Sequence, residues 1–159
     1  MALYSTNNKQ AGTQQSISAS PGKTMINLTA LTGAATLKRG WIYEWEVGAD
    51  GAPNATDCAI TWEFVRNTTV GTGTALTPSP LDLADTAAGL VATGNHTAEP
   101  TIGVSLMAVA LNQRNSQRWI ARDEKSSMIV PATTVTGIGC RAYSPTYAST
   151  GVTTIFFAE

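Results

Sequence analysis

The sequence predicts an all-β fold: a jelly-roll-like antiparallel β-sandwich of about eight strands, with an extended N-terminal arm and one long mid-chain loop. The main observation is that short runs of alternating apolar and polar residues are separated by clusters of Gly, Pro, Asn and Asp. This is the pattern of half-buried strands joined by turns. These runs do not alternate with helical patterns, which disfavours a parallel α/β sheet. A chain of 159 residues is long enough for one domain with a sizeable core.

Residues 1–22 predict an extended arm that precedes the sandwich. This segment is rich in Ser, Thr, Gln and Asn, carries a single charge at Lys9, and has no helical period. It ends at Pro21-Gly22, which is a turn signal. The predicted organisation is therefore an arm over residues 1–22 and a single β-sandwich domain over residues 23–159.

The first predicted strands of the domain are Thr24–Thr32 and Ala35–Val47. The second of these has the clearest period of two in the chain. Its predicted core face carries Ala35, Leu37, Trp41, Tyr43, Trp45 and Val47. Its predicted solvated face carries Lys38, Glu44 and Glu46. A helix is disfavoured, because helical winding would move Tyr43 away from Trp41 and Trp45 and bring the glutamates onto their face.

The middle of the chain predicts one strand followed by a long loop. Cys58–Arg66 alternates and places Trp62 and Phe64 inward. From residue 67 to 100 the pattern loosens around glycines and prolines. A short helix is predicted over Leu81–Val91, because Asp82 and Asp85 would suit the positive end of its dipole.

The C-terminal part of the chain predicts the remaining strands. Thr101–Leu111 is apolar on both faces, which is typical of a central strand. The others are Ser116–Arg122, Ser127–Val130, Thr136–Ala142 and Gly151–Ala158.

The composition excludes several classes of function. Charged residues make up 13% of the chain and the net charge is −1, which does not suit a basic nucleic-acid binder or a polybasic membrane binder. No apolar run has the length of a membrane helix, and the N-terminus does not resemble a signal peptide. We expect Cys58 and Cys140 to be buried thiols, although a disulfide between them remains open. His96 is expected in a solvated loop, and a single histidine excludes mechanisms that need two.

The sequence contains no established enzyme motif, and we expect no catalytic activity and no cofactor. Glu44 and Glu46 have a separation that a glycosidase could use, but a solvated strand face is the simpler interpretation unless a cleft lined by aromatic residues lies beside them. Asp50, Asn54 and Asp57 could bind calcium, although ordinary turn chemistry is the simpler interpretation.

Charge is distributed unevenly along the chain. Residues 1–39 contain Lys and Arg but no carboxylate, whereas residues 40–113 contain most of the carboxylates and a single cation, Arg66. The pattern is compatible with chance, or with a positive arm that contacts an acidic neighbour.

Several segments resemble small structural proteins of tailed bacteriophages. They run from Trp41 to Cys58, from Gly71 to Asp82 together with Arg66, from Asn95 to Thr101, and from Arg141 to Tyr147. The resemblance covers most of residues 35–150. Among those proteins, the segments are most similar in character to head decoration proteins, which are also called cement proteins.

The resemblance implies a structural virion protein without catalytic residues, made in the host cytoplasm and located on the outer capsid surface. It implies that the chain holds neighbouring capsid subunits together, with the major capsid protein and copies of itself in a homotrimer as partners. Nucleic acid and membrane are not expected partners. The expected capsid or inter-subunit contacts are Tyr4, Lys9, Gln14, Gln15, Lys23 and Trp119. Two alternatives remain open: another virion structural module, such as a capsid jelly roll or a head or tail fibre component, and a carbohydrate-binding β-sandwich.

Overall fold

The computed structural model describes residues 1–159 and confirms the all-β antiparallel sandwich. Twelve strands form two six-stranded sheets. Their bounds are β1 Leu3–Asn7, β2 Lys23–Ala30, β3 Gly40–Ala49, β4 Ala59–Asn67, β5 Thr72–Leu76, β6 Ser79–Pro80, β7 Leu90–Ala98, β8 Ile102–Asn112, β9 Ser116–Ile120, β10 Met128–Val130, β11 Gly137–Tyr143 and β12 Gly151–Ala158. Two short 3₁₀ helices cover Asn8–Ala11 and Glu124–Ser126, and none of the helical segments has the length and apolarity needed to cross a bilayer. The likeness to a jelly roll stays a prediction.

The first sheet has the strand order β10-β3-β12-β1-β6, with β9 also pairing with β3, and the second has the order β5-β7-β2-β11-β4-β8. On one side of the sandwich, β8 lies next to β9 and β10. Leu106 of β8, Trp119 of β9 and Ile129 of β10 line one pocket there. On the opposite side, β6 and residues 81–89 lie together, and the Tyr4 hydroxyl of β1 donates a hydrogen bond to the Thr86 carbonyl. We call these the β8 side and the β6 side.

The core lies between the two sheets and contains 23 buried apolar residues. Trp45 lies among aromatic rings, stacked 4.6 Å from Phe64 and 5.9 Å from Trp119 between ring centroids. Stacked pairs of this kind add stability beyond the area that they bury. Trp62 and Phe64 face this core, as the alternation of Cys58–Arg66 predicts.

Residues 1–22 do not form a separate arm. β1 pairs with β12 over its whole length and with β6 near its start, so it is an internal strand of the first sheet. Tyr4 is 1% exposed, and the Asn8 side chain accepts a hydrogen bond from the Thr153 backbone N–H. The polar composition is misleading because only one face of this short strand has to be apolar, and Thr6 occupies a buried position as well.

The predicted helix over Leu81–Val91 is wrong. Residues 81–89 form turns and irregular chain, and Leu90 begins β7. The carboxylate of Glu159 accepts hydrogen bonds from the backbone N–H groups of Gly89 and Leu90, which fixes an extended chain there. Leu90 and Ala92 are buried with the period of a strand, so tertiary packing outweighs the local helix signal.

The strand predicted over Ala35–Val47 begins at Gly40 and contains a β-bulge. Phe156 pairs with Glu44 and Phe157 pairs with Ile42, so Tyr43 is an extra residue on β3. Because the bulge adds one residue to β3, the residues before it and the residues after it no longer alternate in step between the two faces of the strand. As a result Ile42 and Trp45 face the core, and the prediction that Trp41 and Tyr43 face inward is wrong.

Thr101–Leu111 was predicted to be central but corresponds to an edge strand, β8. Its apolar residues are partly exposed, with Val104 60% and Leu106 39% accessible. Apolar residues on both faces do not distinguish a central strand from an edge strand that meets another surface. Two bulges against β4 interrupt the N-terminal half of β8, a common way of disfavouring further strand pairing.

Candidate docking surface

The outer face of the first sheet carries an apolar row that crosses four strands. Strand pairing places Ile129 beside Trp41, Trp41 beside Ala158, and Ala158 beside Leu3. Directly paired residues in antiparallel strands have Cβ atoms about 5 Å apart, so these side chains are neighbours. Leu3 is 40% exposed and Ile129 is 39% exposed, which leaves the row open to solvent.

A second row beside the first adds apolar side chains on either side of Glu44. Ile120 pairs with Glu44, and Glu44 pairs with Phe156. Tyr43, displaced outward by the bulge, lies 6.5 Å from Phe156 between ring centroids. Burial and, second, the charge of Glu44 raise the pKa of Tyr43, so its hydroxyl remains a neutral hydrogen-bond donor. We call the combined surface the aromatic face; its members are Leu3, Trp41, Tyr43, Ile120, Ile129 and Phe156.

The rest of the same sheet face is polar. Arg118 Nε lies 2.6 Å from Glu44 Oε1 and 3.6 Å from Glu46 Oε1. The hydrogen bond from Arg118 to Glu44 and their opposite charges raise the pKa of the arginine. Because Arg118 binds both carboxylates, Glu44 and Glu46 form an ion-pair cluster rather than the pair of free acids that a glycosidase needs.

A groove of about 410 Å³ lies within the aromatic face. Met1, Leu3, Trp41 and Tyr43 contribute most of its apolar lining. Asp123 and Glu124 also line the groove. The Asp123 side chain caps the 3₁₀ helix Glu124–Ser126 and pairs with Arg122, whereas Glu124 has no ion pair within the chain. The groove therefore combines aromatic walls with one free negative charge.

The contact residues predicted in the N-terminal segment are mostly engaged within the chain. Tyr4 is buried against Phe157, and its hydroxyl donates to a backbone carbonyl. Lys9 forms an ion pair with Asp50 at 3.0 Å. Gln14 Nε2 donates to the Gly151 carbonyl at 3.2 Å. These side chains hold the N-terminus to the sandwich rather than presenting it to a partner.

Gln15 and Lys23 meet at one carboxylate. Gln15 Nε2 donates to Glu99 Oε1 at 3.0 Å, and Lys23 Nζ lies 3.6 Å from the same oxygen. Trp119 is half-buried and stacks on Trp45, so only part of its ring is available at the β8 side. The structure therefore does not bring the six predicted contact residues together into one surface.

His96 lies inside the sandwich and not in a solvated loop. It is 5% exposed and belongs to β7. Its Nδ1 lies 3.2 Å from the Thr24 carbonyl oxygen and its Nε2 lies 3.1 Å from the Thr93 hydroxyl. A carbonyl only accepts, so Nδ1 carries the proton and Nε2 accepts from Thr93. Burial lowers the pKa of His96, which favours this neutral form.

The two cysteines are not paired. Cys140 is fully buried, and burial raises its pKa to about 12. Cys58 is only half-buried, and its thiol donates to Gln113 Oε1 at 3.4 Å. The expectation of two buried thiols therefore applies to Cys140 alone.

The oxygen ligands proposed for calcium have other partners. Asp50 pairs with Lys9, and the Asn54 side-chain amide donates to the Thr146 carbonyl. Asp57 accepts a hydrogen bond from Arg114 at 2.9 Å, and that bond holds the pKa of Asp57 below its usual value. These contacts fix the loop between β3 and β4 as ordinary turn chemistry does.

Comparison with known proteins leaves the family open. No family model matches the chain, and no curated protein matches it. The likeness to decoration proteins thus rests on the sequence segments given above. The function has to be argued from the surfaces of this fold.

Sequence reasoning missed the aromatic face. The sequence pattern places Leu3 in a free arm, and it places Trp41 and Tyr43 in the core. The one signal available was Arg39, the charged residue that interrupts the apolar face predicted for Ala35–Val47. A strict period of two cannot continue through such an interruption, which is a warning that the faces of the strand exchange.

Proposed function

We propose that this chain is a structural virion protein that binds the outer surface of a phage capsid through its aromatic face. In this role it bridges neighbouring capsid subunits and stabilises the shell. Its partners are the major capsid protein and other copies of itself, so its location is the outside of the virion.

The observation that supports this proposal most directly is the aromatic face. A contiguous apolar patch on the outside of a folded protein marks an interaction site, because leaving it in water is unfavourable. Trp41 and Tyr43 supply large rigid rings, the residue types most enriched at the centres of protein interfaces. Both lie in the segment, residues 41–58, whose resemblance to decoration proteins is described above.

The electrostatics of the groove indicate the chemistry of the partner surface. Glu124 has no ion pair and lies beside apolar walls. An apolar capsid segment that carries a Lys or Arg would fill the groove and pair with this carboxylate. Many copies on a symmetric shell would convert such modest contacts into firm retention.

Binding to expanded, undecorated capsids tests the proposal. Leu3→Thr keeps a side chain that suits a strand but removes apolar surface from the groove, and Trp41→Ala removes one of its rings. We expect Trp41→Ala to weaken binding at least tenfold in cosedimentation, since a tryptophan at the centre of an interface often contributes about 1.4 kcal/mol or more, which is a factor of ten. We expect Leu3→Thr to weaken binding measurably but less, because leucine seldom dominates an interface.

Val135→Thr is the matched control, because Val135 is 63% exposed but lies outside the aromatic face. The control should bind as the unchanged protein does. Thermal unfolding shows whether each variant remains folded. Full capsid binding by folded Leu3→Thr and Trp41→Ala proteins would rule out this face as the docking surface. Deleting residues 1–22 is not a usable test, because it removes β1 from the sheet.

Carbohydrate binding is the second candidate, because half-exposed Trp41 and Tyr43 lie beside carboxylates in a groove. Aromatic rings with a few convergent polar groups are common in ligand sites. Saturable binding in a glycan screen that is lost in Trp41→Ala would favour this function over capsid binding. The remaining alternative, another virion module, is distinguished by its copy number in the particle.

A further inference from the structure

The loop over residues 81–89 presents an apolar side chain to solvent at the β6 side. Leu83 is 96% exposed, the highest value among the large apolar residues of the chain. Asp82 and Asp85 flank it, and neither carboxylate forms an ion pair within the chain. We call Leu83 with these two carboxylates the Leu83 knob.

The β8 side carries a pocket of opposite character. It has a volume of about 280 Å³ and lies between β8 and the segment that joins β9 to β10. Leu106, Met107, Trp119 and Met128 are among its apolar lining residues. Arg66 also lines it, is exposed, and has no carboxylate partner within the chain. We call this the Arg66 pocket.

The knob and the pocket are complementary in charge and in polarity. An exposed leucine between two free carboxylates matches an apolar pocket beside a free guanidinium. Elsewhere the chain pairs most of its charges internally; for example, Lys9, Arg114 and Arg118 all bind carboxylates. Unpaired charges of opposite sign beside exposed apolar groups are the arrangement expected of two halves of one interface.

We propose that copies of this chain join head to tail, with the Leu83 knob of one copy seated in the Arg66 pocket of the next. Asp82 and Asp85 then lie against Arg66. The occupant is a second copy because the knob and the pocket of this one chain match each other in charge and in polarity. They lie on opposite sides of the sandwich, so a chain cannot fill its own pocket.

This contact is heterologous: it joins two different patches, and each copy can use both patches at once. Such contacts close into a ring when the rotation between copies allows it, and otherwise form an open row. Ile129 belongs to the aromatic face and also lines the Arg66 pocket. The other members of the aromatic face lie on the outer face of the first sheet, away from both sides, so they stay free. The head-to-tail contact therefore does not depend on capsid binding.

Sedimentation velocity over a range of protein concentrations tests the contact without any capsid. We expect the fraction of associated protein to increase with concentration. In Leu83→Ser the dissociation constant for self-association should rise at least tenfold. Leu83 has almost no contacts within the chain, so this variant should unfold at the same temperature as the unchanged protein. Val135→Ser is the matched control and should associate normally.

Charge exchange tests the partner assignment. Arg66→Glu and Asp85→Arg should each weaken association, since each brings like charges together. The double variant, which carries both changes, should recover part of the association, because positions 66 and 85 again carry opposite charges while Asp82 remains beside position 66. A double variant no better than the single variants would overturn the pairing of Asp85 with Arg66.

Mixing two defective variants tests the head-to-tail geometry. Leu83→Ser retains its pocket and Arg66→Glu retains its knob, so the mixture can form one intact contact. We expect a heterodimer that does not grow further. A protein that stays monomeric up to its solubility limit, or a mixture that forms no heterodimer, would contradict the proposal.

Discussion

At the scale of single residues, His96 shows how the environment decides a property that composition leaves open. The sequence around it, Gly94-Asn95-His96-Thr97, is typical of a turn, and Asn95 does have a positive φ of 46°. The chain nevertheless continues as β7, and the imidazole is enclosed between Thr24 and Thr93. The turn-like sequence therefore agrees with the backbone of Asn95, but it wrongly predicts that the His96 side chain is exposed.

The buried state of His96 predicts a dependence of stability on pH. An unfolded histidine takes up a proton near pH 6.5, whereas the folded chain does so only at lower pH because burial lowers the pKa of His96. The unfolded state then binds more protons, so the free energy of unfolding falls as pH drops below about 6.5.

Urea unfolding at pH 7.5 and at pH 5.5, above and below the usual histidine pKa of about 6.5, measures the effect. We expect the free energy of unfolding to fall further over this interval in the unchanged protein than in His96→Asn, which has no titrating group at this position. Equal losses in the two proteins would show that His96 is not held in its neutral form.

At the scale of strands, the period-two pattern correctly indicated most of the elements. β2, β3, β4, β8, β9, β10, β11 and β12 each coincide with a predicted run. β1, β5, β6 and β7 were not predicted, because they are short or polar and depend on their neighbours for stability. Strand identity could therefore be predicted where one face is clearly apolar.

The β-bulge at Tyr43 could not be predicted, because it arises from pairing with β12 and not from the local sequence. It separates two tryptophans that the alternation placed together. Trp45 is 1% exposed in the core, whereas Trp41 is half-buried on the outer face.

Two alanine substitutions measure this separation. Trp45→Ala should reduce the free energy of unfolding by about 3–5 kcal/mol, as for other large core residues. Trp41→Ala should reduce it by about 1 kcal/mol, because its ring lies at the surface. If chemical denaturation gave similar losses of unfolding free energy at the two positions, Trp41 would also belong to the core and the bulge would not separate the two rings.

At the scale of the whole molecule, the low content of charge accompanies large apolar residues at the surface. They lie on the outer face of the first sheet and on both sides of the sandwich. The alternating runs and the turn residues between them predict the fold class correctly. They do not predict the surfaces, because these depend on which strands lie at the edges and on a single bulge.

These surfaces have separate proposed roles. The aromatic face, on the outside of the first sheet, would meet the capsid. The Leu83 knob and the Arg66 pocket, on opposite sides, would join neighbouring copies. A sandwich with adhesive surfaces in these directions can cover a shell without any catalytic group.

A cryo-EM map of phage capsids decorated with this protein tests the central claim most directly. We expect the outer face of the first sheet to contact the shell, with Leu3, Trp41 and Tyr43 enclosed by capsid residues. A map in which these three side chains face solvent while another surface contacts the shell would contradict it.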